Sequence, residues 1–394
     1  PFLEAFTNKY AANIAINDSY YGLSIMQSRF TELGGNLGLS SIVMLVGLGF
    51  GILLVLCKRI TKIRCLSIQG SSYAYEGWRC LLLVFCIYPF VPTWQVIVMA
   101  GAYLAIHACV SGNLSITAAQ DLTDGCNMAI DHCQNIGSTI AWHVGKRIEK
   151  RSIEKTGKPP KSFDNLKLPG WLSIFNDVYV SCFLVMFLFF GAIILALGRE
   201  SIAAIDSSFT EGSSFLAYTF TTAGKFPMYL VILFTGLRMF VAEIMVAFEG
   251  LNKRILKGVL PSVDIAAFFG FVENGNVITM GFLIGTIVML LCTTIGILIK
   301  SPFVVMMGFT QMMFDNAPVA MFGHKHGGIK GLVFGATLSG IVDTVLGGLA
   351  LYLLGYTPYT GAAFQFDYAI EFSLFGWVLP RGAVFFVIFL ICLL

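Results

Sequence analysis

Charge is what this 394-residue sequence has least of: Asp, Glu, Lys and Arg make up 12% of it, about half the ~25% usual in soluble domains. With 57% hydrophobic residues and 35 phenylalanines, so little charge excludes an ordinary water-facing surface. The formal charge of +3 is small and sits in short clusters, which excludes nucleic acid as a partner. No P-loop or kinase signature is present, so no phosphoryl-transfer centre, and no catalytic centre of any kind, is expected on this chain. The ten cysteines form no CxxC pair, and several lie inside apolar runs, where a thiol behaves as a small hydrophobe. Neither a disulfide framework, nor a metal site, nor a cofactor is expected. Residues 1–36 carry Glu4, Lys9, Asp18, Arg29 and Glu32, which is not a signal-peptide pattern. A start at Pro1 and a stop within an apolar run are expected of a fragment.

What is present reads as an all-α polytopic membrane protein, a multi-span helical transporter with broken or re-entrant helices. Residues 37–57, 178–197, 227–248, 277–299 and 332–354 are each apolar and about twenty long, enough to cross the hydrocarbon core as a helix. Three basic clusters, at 58–64, 146–167 and 253–257, follow or precede these runs with the parity that puts all three on the cytoplasmic face. The richest, at 146–167, has eight Lys or Arg against three acids, and residues 145–170 are read as a cytoplasmic loop. Between the spans lie apolar pieces of half length, at 80–90, 264–276 and 303–314. Broken segments in both halves, each beside a motif with an Asp and a His (124–132 and 315–324), are the pattern of an inverted repeat with a midplane site, or a coincidence of composition.

The polar stretch that opens at Gly112 holds Asp121, Asp124, Asp131 and His132 next to a run apolar enough for lipid, so these groups need protein or water around them. Asp264 follows Pro261-Ser262, where it either caps a helix start or accepts from a ligand. His132 is either a ligand contact or a histidine satisfied in the core. Arg238 and Glu243, five apart and so about 140° around a helix, are expected to have partners on other helices. Asp315, His324 and His326 are either a solvated loop at the membrane surface or ligand contacts, the loop being the preferred reading. Asp343, inside a span, is paired or functional.

Several strings together resemble the membrane component, enzyme IIC, of the ascorbate type of the bacterial sugar phosphotransferase system: Thr123-Asp-Gly-Cys126, Ile130-Asp-His132, Leu166-Lys-Leu-Pro-Gly-Trp171 with Asp177, residues 190–194, Arg238-Met-Phe-Val-Ala-Glu243, and residues 322–328. The resemblance covers nearly the whole chain from Asp18. It implies a multi-pass protein of the bacterial inner membrane, in contact with lipid and forming a homodimer. Residues 1–394 would form one enzyme IIC unit of intertwined dimerisation and core domains, missing N-terminal helices, with the core moving as an elevator. It further implies a small sugar or sugar acid, ascorbate by default, as substrate and phosphorylated enzyme IIB as partner. His132 and Asp264 fall on the family's ligand-binding positions, and Ser19 and Tyr20 fit a third contact. Where the family has Gly-His and then a Gln pair, this chain has Gly70-Ser71 and Tyr75-Glu76, so Ser71 and Tyr75 stand at expected sugar contacts with changed chemistry. The competing reading is an ion- or proton-coupled secondary transporter using Glu243, Asp264 and Asp343 as proton carriers.

Overall fold

The computed structural model describes residues 38–67, 70–87, 92–163, 177–210, 212–305, 309–354, 359–360 and 364–378, with isolated positions at 5, 31 and 36. Among them, four helices are long and apolar enough to cross a membrane, or five if one sharply bent pair is a single crossing. The protein is an all-α polytopic membrane protein.

The first expected span is helix α1, Leu39–Leu56. Its buried residues Val43, Gly47, Gly51 and Val55 recur every fourth position and form one inward stripe, while Leu45, Leu53 and Leu56 stay exposed, as lipid-facing residues should. A short helix α2, Lys58–Thr61, carries two residues of the first basic cluster and leads into strand β1, Cys65–Ser67. Helix α3 then runs Gly70–Ile87, starting ten residues before the short apolar piece expected at 80–90. Residues 70–76 are helical despite their polarity because Glu76 and Arg79 are buried among partners inside the protein.

Helix α4, Thr93–Ile106, passes through a π-helical turn, His107–Ser111, into α5, Gly112–Leu122, giving one 30-residue candidate span. The polar stretch that opens at Gly112 is therefore helix for its first eleven residues. Strand β2, Ala129–Ile130, precedes α6, Asn135–Thr156, which ends at Gly157 with φ 68°, a left-handed cap that glycine adopts without strain. Helix α7, Val178–Leu197, is capped by Asp177, whose Oδ1 accepts from the amides of Tyr179 and Val180, both at 2.9 Å. The chain then turns 106° into α8, Arg199–Ile205. Helix α9, Phe215–Arg254, is continuous through Pro227, and its Glu243 is exposed rather than held in an interior pair; the Arg238 side chain lies outside the described residues.

Strand β3, Leu260–Val263, is followed by a 3-10 turn, Ile265–Phe271, and by the span α10, Asn276–Leu298. After β4, Val304–Val305, helix α11 runs Phe309–Ile341 and bends at Gly328 (φ 55°, ψ −144°). A second π turn, Val342–Leu346, joins it to α12, Gly347–Leu353; β5, Tyr359–Thr360, and α13, Phe366–Val378, complete the order. The expected solvated loop at 315–328 is thus the interior of a helix. Its polarity is accommodated because α6 and α10 pack along α11 and meet its polar groups.

The strands are few but positional. β1, β3 and β2 form a parallel three-stranded sheet with β3 central, in the register Ser67 to Ser262, Ala129 to Ser262 and Ile130 to Val263. Each strand feeds the start of a helical segment, so three such starts gather beyond the carboxyl edge of the sheet. The large apolar core, with Tyr103, Phe268, Phe322, Phe366 and Phe372 nearly fully buried, surrounds this edge.

Candidate functional site

The register of β2 and β3 decides what meets at that edge. With Ile130 opposite Val263, and the Asp131 amide donating to the Val263 carbonyl at 2.7 Å, Asp131 and His132 emerge beside Asp264. His132 and Asp264 are close enough to interact electrostatically. Asp264 also caps the 3-10 turn, its Oδ1 accepting from the Ala266 amide at 2.8 Å, so the capping reading holds. Asp131, buried, accepts from the Ser67 hydroxyl on β1.

From His132 a continuous polar chain runs into the core. Its Nδ1 bonds the Gln134 side-chain oxygen, and the Gln134 amide donates to Asp315 Oδ1. The Gln365 amide donates to the same oxygen at 3.0 Å, and its carbonyl accepts from Arg79 Nη1 at 3.0 Å. Arg79 lies 3.6 Å from the Cys133 sulfur, and Cys133 lies 3.7 Å from Glu76 Oε1. Beyond that, His107 Nδ1 is 3.0 Å from both Glu371 oxygens, and the Tyr103 hydroxyl donates to Glu371. Asp367 accepts from the Ile136 amide at the start of α6 at 3.1 Å. Asp131, Asp315, Asp367 and Glu76 are almost fully buried, with Arg79 the cation among them. Such a wall of buried acceptors and amides is suited to a ligand that brings many hydroxyl donors.

Of the residues singled out from sequence, His132 and Asp264 are brought together. Ser19 and Tyr20 lie outside the described residues; so do the side chains of Ser71 and Tyr75, whose backbone forms the first turns of α3. Asp315 is buried in the chain of contacts just traced, and neither histidine expected beside it in a loop is in one. His324 is buried, with Nε2 3.1 Å from the Ser162 hydroxyl. His326 lies between Asp121 Oδ2 (2.6 Å) and Glu149 Oε2 (2.7 Å) and joins α5, α6 and α11. Asp343, on the second π turn, is buried with the Ser339 hydroxyl donating to it at 3.0 Å. Arg79, His107, Gln134, Gln365, Asp367 and Glu371 were not singled out for the site, and no spacing marks them, while Glu76 was noted only as a departure at the family's Gln pair; Glu76, His107 and Cys133 are brought close enough to share a metal ion.

A family model described as EIIC-GAT, PTS system sugar-specific permease component, matches residues 1–367. The chain belongs to this family. A curated relative, the "Ascorbate-specific PTS system EIIC component" of Mycoplasma pneumoniae (strain ATCC 29342 / M129 / Subtype 1), is 23% identical over 388 residues, covering 89% of this chain and 57% of the relative. The chain therefore spans little more than half of that relative's length.

Proposed function

We propose that this chain is the sugar-binding membrane component of a phosphoenolpyruvate-dependent phosphotransferase system, that its substrate is L-ascorbate, and that it presents the bound sugar to phosphorylated enzyme IIB. The observation that carries this reading is the strand register that sets Asp131 and His132 beside Asp264 in a chain of this family. The ascorbate assignment is supported by the Mycoplasma relative. His132, Asp264, Ser71, Tyr75, Ser19 and Tyr20 are the proposed contacts. Asp264 and Asp131 accept from ring and side-chain hydroxyls, and His132 offers one acceptor or donor nitrogen. With no phosphoryl-transfer motif on the chain, its contribution is alignment of a hydroxyl toward the partner's phosphocysteine.

The working form is a homodimer in the bacterial inner membrane, in which a core domain carries the sugar past a dimerisation domain as an elevator. Two features support that division. Helices α7 and α9 pack on each other, and with α8 they share an apolar cluster of their own around Ile193, Ile194, Leu197, Ile202 and Phe209. Helix α9 also exposes Leu216, Phe220, Tyr229, Ile232, Met239 and Val246, an apolar face suited to a second copy or to lipid. Calorimetric titration of the purified chain with ascorbate, a pentitol and a hexitol tests the substrate. Saturable binding of ascorbate alone is expected, and preference for a polyol would reassign it.

A further inference from the structure

Among the buried polar atoms left without a hydrogen-bond partner in the described residues are Glu76 Oε2 and His107 Nε2, and the two side chains approach to 3.9 Å between Glu76 Oε1 and His107 Nε2. Cys133 completes the group. Its sulfur lies 3.7 Å from Glu76 Oε1, and one ligand atom from each of the three residues lies within 4.8 Å of the others. All three residues are buried. We propose that Glu76, His107 and Cys133 bind a divalent metal ion of the zinc class, tying α3, the first π turn and the 131–134 turn together.

Geometry and donor chemistry agree on the class. Tetrahedral zinc, with bonds of about 2.0–2.3 Å, sets its ligand atoms roughly 3.4–3.6 Å apart. Two edges of the trio, 3.7 and 3.9 Å, are within about 0.5 Å of that spacing. An imidazole, a thiol and a carboxylate together favour zinc over magnesium or calcium, which prefer all-oxygen sites. His107 is also oriented as a ligand. Its Nδ1 faces both oxygens of Glu371 at 3.0 Å, which places the proton on Nδ1 and the lone pair on Nε2, the carboxylate–histidine arrangement found behind metal sites. Stacking on Tyr368, with centroids 4.2 Å apart and planes at 17°, holds the ring in that orientation. A dication with the Glu76 carboxylate and the Cys133 thiolate is neutral as a unit, and Arg79, 3.6 Å from the sulfur, complements the thiolate and is balanced by the acids around it. The π turn at His107–Ser111 fits this role, since such bulges in a helix frequently mark functional positions.

The test uses the full chain in detergent, stripped with a chelator and titrated first with Zn2+ alone and then with Co2+ as an optical probe. One ion per chain is expected, with one sulfur neighbour at about 2.3 Å in the zinc absorption spectrum and a thiolate-to-cobalt charge-transfer band. Cys133→Ser should abolish the sulfur signal and the band and weaken binding at least tenfold, and His107→Gln should weaken it as much. Glu371→Gln, a positioning change, should weaken binding about 10- to 100-fold while keeping the sulfur signal. Cys126→Ser should change nothing. Binding that Cys133→Ser leaves unweakened, a site without sulfur, or a folded chain that retains no ion would each overturn the proposal. Should a variant fail to fold, the wild-type absorption spectrum decides by itself.

Discussion

Asp264 caps a 3-10 turn and faces His132, and its substitutions separate the two roles. Asparagine keeps an acceptor for the cap and removes the charge; alanine removes both. Asp264→Asn is expected to leave the thermal midpoint nearly unchanged and to weaken sugar binding by about 1.5–3 kcal/mol, roughly ten- to a hundredfold in Kd. Asp264→Ala should lose about 1 kcal/mol of stability as well. His132→Ala is expected to match the Asn variant in calorimetric titration on folded protein, and normal binding by both would move the substrate away from the sheet edge. Arg79 belongs to a different class, because it is buried against Gln365, Cys133 and the charge of Glu76. Arg79→Met should cost about 3–5 kcal/mol, the range for leaving a buried charge without its counterion, read as a lowered midpoint of thermal unfolding in detergent. These residues differ in how legible they are. His132 and Asp264 were found because they stand at positions the family resemblance marks, whereas Arg79 and His107 gain their meaning from contacts with residues up to 286 positions away, which no local pattern encodes.

Helix lengths followed from hydropathy where a segment faces lipid and failed where it faces protein. The spans at 39–56 and 276–298 fall within two residues of the apolar runs that announced them. The beginnings of α3 and α11 were missed because polar side chains that are satisfied inside the protein read, in sequence, like a loop. Gly145 illustrates the same point. It lies in a basic stretch read as a solvated connection, yet a Cβ there would stand 2.7 Å from the Gly323 carbonyl and 3.2 Å from the Gly327 amide, so α6 and α11 meet backbone to backbone. Gly145→Leu should therefore cost about 1–3 kcal/mol or prevent folding, as overpacking does; an unchanged unfolding midpoint would mean that the helices do not approach so closely. Farther along α6, the exposed basic turns are expected on the cytoplasmic side. A cysteine introduced at Lys155 should escape an impermeant reagent added to intact cells, and efficient labelling would invert the topology.

At the scale of the whole molecule, the parallel sheet acts as a gathering device. Three short strands from distant parts of the chain, at residues 65–67, 129–130 and 260–263, are locked in one register, and the segments they launch bring α3, α6 and the 3-10 turn to one polar site. A proton-coupled carrier and a phosphotransferase component could both be built on such a frame, since each needs buried acids at membrane depth, but they differ in what leaves the protein. Uptake into inverted or reconstituted vesicles containing this chain measures that difference. Accumulation of phosphorylated ascorbate that requires phosphoenolpyruvate and enzyme IIB, and that Asp264→Asn depresses, is the predicted result; accumulation of free sugar driven by a proton gradient, without either requirement, would contradict it.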